Sequence, residues 1–206
     1  MNSNKGLQRD TKDRVRCWWC GDDREYRRYH DQEWGKPVKD DQRLFEKICL
    51  EGFQCGLSWL TILRRRPAFR SAFAEFDFET VAKYDTSDIN RLLGNESIIR
   101  HRGKIIAAIH NAAKAIEMRS AEGSLAAFFW QFEPSRSRPP RRREDIPAVT
   151  HESTQMSREL KRRGWKFIGP TTCYAFMQSM GIVNDHLVGC DDRERVERLR
   201  ETFARP

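Results

Sequence analysis

The stretch Leu44–Leu63, reading LFEKICLEGFQCGLSWLTIL, constrains this chain more than any other. It is mostly apolar and helical in its spacing, so a folded chain must bury it. Glu51 lies in its middle, flanked by Cys49, Phe53, Cys55 and Trp59. A carboxylate in such company costs free energy unless it meets a partner. Gly52 and Gly56 interrupt the helical pattern beside it. Two readings are open. Glu51 is a partly exposed residue at a helix end, or it is an acid aimed into an aromatic pocket, where it can hold a cationic or donor-rich ligand.

The length of 206 residues suits one domain and is enough for a substantial interior. Charged residues make up 33%, but the 38% hydrophobic share includes six Trp and twelve Phe, which marks a folded chain. The formal net charge of +8 points to a polyanionic partner, nucleic acid before a membrane surface. The first sixteen residues are polar and charged, and no apolar run approaches the roughly 18 residues of a membrane span. The cytoplasm is therefore the expected compartment, with no membrane partner. Six cysteines there are expected to be reduced or metal-bound. A monomer is the default expectation.

Three segments are expected: a mobile leader over 1–15, a single all-α domain over 16–190, and a charged tail over 191–206. Asp40 or Asp41 can cap a helix with Leu44, Phe45, Ile48 and Cys49 inside. A helix from Ser58 is expected to end near Arg64–Arg66, and Pro67 to open another that carries Phe69, Ala72, Phe73 and Phe76 on one face. Thr86 or Ser87 can cap a short helix that Gly94 ends. Arg102–Met118 is amphipathic, and Leu125–Phe132 is short and aromatic. Residues 134–145 hold three prolines and five arginines, a mobile basic loop. A helix from Glu152 stops at Gly164, and another runs from Thr171 to Met180. No strand pattern is evident. The fold class is all-α, a bundle of short helices.

Four residues have the chemistry of metal ligands: Cys17 and His30 near the start, His186 and Cys190 near the end. His186 and Cys190 are four apart in HLVGC, which predicts one helical face. Two thiolates and two imidazoles make a closed structural zinc site that would tie the chain ends together. Cys20, in the pair Cys17-Trp18-Trp19-Cys20, competes with His30 for this set and also offers a redox couple.

Helix, glycine-containing turn, helix is the pattern of Gly164–Met180, and such a turn can present free N–H groups to a phosphate. Trp165, Lys166 and Gly169 lie in it, and Pro170 can open the second helix. A glycine turn between two core helices is the plainer alternative. Arg100–Lys104, RHRGK, places cations at a helix start against the helix dipole, so Arg102 and Lys104 are candidate phosphate contacts. Arg64–Arg66 and the arginine loop read as solvated charge. Trp19, Tyr26, Tyr29, Trp34 and Trp59 supply the ring type needed to stack a planar base.

RCWW, YHDQEWG, ICLEGFQCGLSW, IIRHRGKI, RGWKFIGPTTCYAFMQSMG and VNDHLVGC occur in this order. Together they resemble the type I 3-methyladenine DNA glycosylases of the helix-hairpin-helix class, from about Arg16 to Cys190. The resemblance implies an all-α enzyme that removes N3-alkylated adenine from double-stranded DNA and leaves an abasic site. It implies structural zinc on Cys17, His30, His186 and Cys190. It implies a base pocket of Glu51, Tyr29 and Trp59, with Trp19 and Tyr26, and a DNA-gripping hairpin over Trp165–Pro170. Asn184 stands where many relatives of the wider class carry a catalytic aspartate, which leaves Glu51 as the pocket acid. Two other classes stay open: a non-catalytic zinc-stabilised DNA-binding module, and a thiol enzyme using Cys17 and Cys20.

Overall fold

The computed structural model describes residues 6–135 and 138–206, so positions 136 and 137 of the expected basic loop lie outside it. Helix α2 (Asp41–Gln54) runs through the centre, and every residue from Leu44 to Phe53 is buried. A helix buried on all faces is the hub of its domain. It packs against α3 (Trp59–Ala72), α6 (Arg102–Glu122), α7 (Leu125–Trp130) and α9 (Pro170–Ser179). The Asp40 carboxylate caps α2 by accepting from Arg43 N at 2.8 Å. Gly52 lies inside α2 instead of breaking it; a Cβ there would sit 3.6 Å from the Phe167 carbonyl oxygen. Gly56, at φ 82°, makes the turn that follows.

The described residues are mainly helical, with α1 (Arg24–Gln32), α4 (Phe78–Val81), α5 (Thr86–Gly94), α8 (His151–Arg162) and α10 (Arg193–Glu201) completing the set. Asp85, one residue before the expected caps, closes a capping box with Asp88 at the start of α5. Pro67 lies within α3 and starts no new helix. It removes one backbone hydrogen bond, which costs about 3 kcal/mol in an ordinary helix interior. Burial of Ile62, Leu63, Phe69 and Ala72 on either side of it keeps the helix continuous. Phe76 still reaches the core, but through a left-handed turn, Ala74–Phe76, with φ of 50–60°.

One expectation at the chain ends is corrected, that of a mobile leader, and the charged tail holds a helix. Within the supposed leader, β1 (Leu7–Arg9) pairs antiparallel with β2 (Val15–Cys17), Leu7 opposite Cys17. Asp10 builds the turn between them, its carboxylate accepting from Lys12 N and Arg14 N. Within the supposed charged tail, α10 buries Val196 and pins Arg200 against Glu133 at 2.7 Å. Residues 6–15 and the tail are polar in composition yet fold, because ion pairs and backbone pairing with the body replace the missing apolar residues; positions 1–5 of the expected leader lie outside the described residues. No described helix is long and apolar enough to cross a membrane.

Gly181 ends α9 at φ 73°, where residues 36 and 37 cross it; an added Cβ would lie 2.4 Å from Lys36 C and Pro37 N. Gly181→Ala is therefore expected to destabilise the fold by about 3 kcal/mol, from backbone overlap added to left-handed strain. Urea unfolding at equilibrium measures it, and a loss below about 0.5 kcal/mol would contradict this packing.

Candidate functional site

Cys17, His30, His186 and Cys190 converge, all buried, with their ligating atoms within 4.8 Å of one another. Cys190 Sγ lies 3.5 Å from His186 Nδ1 and 3.6 Å from His30 Nε2, and Cys17 Sγ lies 3.9 Å from His186 Nδ1. Metal bonds of about 2.3 Å to sulfur and 2.0–2.1 Å to nitrogen in a tetrahedron give sulfur–nitrogen edges of about 3.5 Å, so the set fits a four-coordinate ion. The outer contacts fit too. His30 Nδ1 faces Asp31 Oδ1 at 2.8 Å, and His186 Nε2 donates to the Trp34 carbonyl at 3.2 Å. These partners leave the other nitrogen of each ring turned to the thiols. Arg16 grips Asp31, and Arg14 grips the buried Asp192, which also faces His30.

Cys20 is outside this group; its thiol donates to the Cys17 carbonyl at 3.2 Å. His186–Cys190 is not helical, contrary to the expected shared helical face. Gly189, at φ 96°, turns the chain back, and Leu187 N donates to Cys17 Sγ at 3.4 Å. The turn brings the two side chains together as a helical face would have done.

The same cluster backs an aromatic cavity. Trp34 contacts the His186 ring at 4.7 Å and Trp19 at 4.9 Å. Trp19 in turn meets Tyr26 at 5.0 Å and Tyr29 at 6.3 Å, and Tyr29 meets Trp59 at 5.5 Å. These five rings and Glu51 line a cavity of about 220 Å³. Glu51 is 5% exposed, which rules out the reading of a solvated residue at a helix end. Burial holds Tyr29 well above the ordinary phenol range and pushes Tyr26 up to about 12, so both phenols stay neutral. Trp59 Nε1 is a buried donor with no protein partner.

Sequence reasoning missed several liners: Trp18, Gln54, Ile146, Ala175 and Gln178. Ala175 and Gln178 are three apart on α9, so they share a face; the buried Asp185 carboxylate holds the Gln178 amide at 2.8 Å. Lys47 was missed as well. Its ammonium lies 2.7 Å from Glu51 Oε1, 3.0 Å from the Tyr29 hydroxyl and 3.2 Å over the Trp59 ring. The four-residue spacing from Lys47 to Glu51 is the one signal that could have found it.

Helices α8 and α9 pack together across the turn 163–169. Lys166 is exposed, and Asn111 clamps its backbone through both amide atoms, at 2.9 and 3.0 Å. Gly169 is the N-cap of α9, with no side chain on the first amides, and Pro170 is the first helical residue. Phe167, at φ 57° and 43% exposed, projects from the turn. Arg102 is exposed at the start of α6.

Three expected roles are corrected. Trp165 is 3% exposed and packs on Phe45 and Phe129, anchoring the turn from inside instead of touching a phosphate. Lys104 is buried, and its ammonium donates to the Phe53 and Cys55 carbonyls at 2.9 and 2.6 Å, which closes the C-terminal end of α2. Asn184, for which no catalytic role was expected, donates its amide to Glu197 at 2.7 Å and to the Arg193 carbonyl. Of the run Arg64–Arg66, Arg66 is no solvated cation; it makes a bidentate pair with Glu33 at 2.5 and 2.8 Å.

A ring-lined cavity with an acid in its wall, in a helical protein with a basic turn between two packed helices, is a site shaped to take up a planar ring. A family model described as methyladenine glycosylase matches residues 19–194. A DNA-3-methyladenine glycosylase of Haemophilus influenzae is 47% identical over 179 residues, which cover 85% of this chain and 96% of that protein. A crystal structure of 3-methyladenine DNA glycosylase I matches with a TM-score of 0.82 and 45% identity, over 85% of this chain and 98% of that one. A variant of 3-methyladenine DNA glycosylase I in complex with 3-methyladenine matches with a TM-score of 0.81 and 34% identity, over 85% and 95%. The chain belongs to the methyladenine glycosylase family, as a type I 3-methyladenine member.

Lys104→Met separates a structural lysine from a phosphate contact. Removal of this cap on α2 is expected to cost about 1–3 kcal/mol in urea unfolding, with two buried carbonyls left unpaired. The salt dependence of duplex binding is expected to be unchanged; a slope shallower by about one counterion would return Lys104 to the DNA surface.

Proposed function

We propose that this chain is a DNA repair glycosylase that extrudes 3-methyladenine from duplex DNA and excises it by hydrolysis, leaving an abasic site. One observation carries the reading: a buried carboxylate, Glu51, in the wall of a cavity lined by six aromatic side chains. Methylation at N3 gives adenine in DNA a positive charge. That charge weakens both its stacking and its bond to the sugar, so extrusion costs only a few kcal/mol. In the cavity the rings of Trp59, Tyr29, Trp19 and Tyr26 face an electron-poor purine, a cation–π contact worth about 0.5–2 kcal/mol. Glu51 accepts hydrogen bonds from the donor edge of the base and favours its charge.

The C1′–N9 bond then breaks, with its electron pair going to the purine, which departs neutral. Water adds to the oxocarbenium-like sugar and gives up a proton. Glu51 is the acid available to orient that water. The Lys47 ammonium is engaged by Glu51, the Tyr29 hydroxyl and the Trp59 ring, which supports a monofunctional enzyme that uses no amine nucleophile. The pair α8–α9 acts as the helix-hairpin-helix grip. Lys166, the turn ending in Gly169 and the exposed Arg102 meet one DNA backbone, and the uncapped start of α9 faces a phosphate. The supporting observation is continuity, since α9 runs from this turn to the cavity liners Ala175 and Gln178. The ion in the four-ligand cluster is zinc, by the chemistry of two thiols and two imidazoles, and its role is to hold the chain ends and the rear wall of the cavity.

Incubation with methylated duplex DNA, followed by chromatography of the released bases, is expected to yield free 3-methyladenine and strands cleaved only after alkali. Glu51→Gln is expected to lower the release rate about 10²-fold or more, with duplex affinity within about twofold. Undiminished release by Glu51→Gln would remove Glu51 from the mechanism; absence of release by the wild type would leave a DNA-binding module.

Atomic absorption is expected to give one zinc per chain, retained in Cys20→Ser and lost in Cys190→Ser together with a fall in Tm. Full zinc occupancy in Cys190→Ser would contradict the four-ligand assignment.

A further inference from the structure

Lys47 and Glu51 are both almost fully buried, their side chains 7% and 5% exposed. Taking two opposite charges out of water costs more than an apolar pair of the same size would, so such a pair does not explain itself by stability. The surrounding acids do not require Lys47 either. Glu33 is held by Arg66 through both oxygens, and Glu46 by Arg70 at 2.8 and 3.1 Å. Lys47 is left to Glu51, and among the described residues Glu51 has no other side-chain partner. The same ammonium donates to the Tyr29 hydroxyl and lies over the face of Trp59, behind the cavity and not in it.

We propose that Lys47 is the positioning residue of this pocket. Its ammonium holds the Glu51 carboxylate in place at the cavity wall, and joins Tyr29 and Trp59 into one rigid stacking surface for a cationic purine. The inference rests on the base-excision reading of the same pocket and deepens it. Lys47 touches no bound base; it acts through the three groups that do. One Glu51 oxygen is engaged by the lysine, which leaves the other for the donor edge of the ligand.

The consequence is a dependence of excision on the protonation of Lys47. Burial lowers the Lys47 pKa to about 8, with Glu51 pulling it the other way. A depressed value means that the folded protein gives up this proton earlier than a free lysine, so the ion pair is present below about pH 8 and is lost as pH rises through it. The other groups facing Lys47 are Tyr29 on α1 and Glu33 just after it, Arg43, Glu46 and Glu51 on α2, and Arg66 and Arg70 on α3. The Tyr29 phenol is held well above its usual range and Arg66 is raised further, so neither changes charge between pH 7 and 9. The N3-methylated base is cationic across the whole interval.

The test is the single-turnover rate of 3-methyladenine release from methylated duplex DNA between pH 6 and 9.5, for wild type, Lys47→Arg and Lys47→Met, with circular dichroism and Tm as checks on folding. The wild-type rate is expected to fall about tenfold from pH 7 to pH 9. Lys47→Arg keeps a permanent cation, so it is expected to retain most of the rate at pH 7 and to lose the alkaline fall. Lys47→Met is expected to be at least about tenfold slower at pH 7, flat in pH, weaker in quenching of tryptophan fluorescence by free 3-methyladenine, and unchanged in duplex affinity. A folded Lys47→Met with the wild-type rate and profile overturns the proposal. So does an alkaline fall near pH 8 that persists in Lys47→Arg, which decides the matter even where Lys47→Met does not fold. A wild type that releases no base at any pH overturns the excision reading itself, whereas an active wild type matched by Lys47→Met overturns only the role of Lys47.

Discussion

A negative charge held out of water beside aromatic rings is the constraint from which the rest of this structure can be followed. Glu51 is 5% exposed in the middle of a helix that is itself buried on every face. A carboxylate taken out of water is costly unless a counter-charge meets it at contact distance, and Lys47 supplies one a helical turn away at 2.7 Å. The surrounding rings cannot shield the charge as water does. They can carry a second cation on their faces, and for that reason a cavity of this composition selects a positively charged planar ligand. An uncharged purine would gain the stacking without the electrostatic part.

Two supports keep this cavity in shape. Behind it, Trp34 spans from the aromatic wall to His186, and the four-ligand cluster joins β2, α1 and the loop after α9. Segments more than 150 residues apart are thereby held at one point, with Arg14 and Arg16 securing Asp192 and Asp31 around it. Beside the cavity, α9 carries Ala175 and Gln178 on one face and starts at the turn that Asn111 clamps. The element proposed to hold the DNA backbone and the wall proposed to hold the base are thus parts of one rigid helix. Under that proposal, placement of the duplex and placement of the extruded base would be coupled through this helix.

Much of the site was legible because its residues are chemically unusual where they stand. A carboxylate inside an apolar run, two cysteines and two histidines in a reduced chain, and a cluster of tryptophans and tyrosines each announce a special environment. The misreadings share one cause, which is that side-chain direction depends on packing that a linear pattern does not contain. Lys104 and Trp165 lie in basic or glycine-rich segments that look like DNA contacts. In the fold Lys104 turns inward to two carbonyls and Trp165 turns inward to Phe45 and Phe129. Lys47 shows the reverse error, an ordinary-looking lysine that burial places against three of the residues that line the cavity.

The residues by themselves determined the helical class and the central helix, and narrowed the ligand candidates to Cys17, Cys20, His30, His186 and Cys190 and the acid to Glu51, because these follow from residue chemistry and short-range spacing. Only the tertiary structure decided which cations face solvent, that the first and last segments fold onto the body, and that a glycine turn replaces a helical face between His186 and Cys190. Those outcomes depend on contacts between residues far apart in the chain. Their energies are comparable to local preferences and override them, as burial on both sides of Pro67 does for α3.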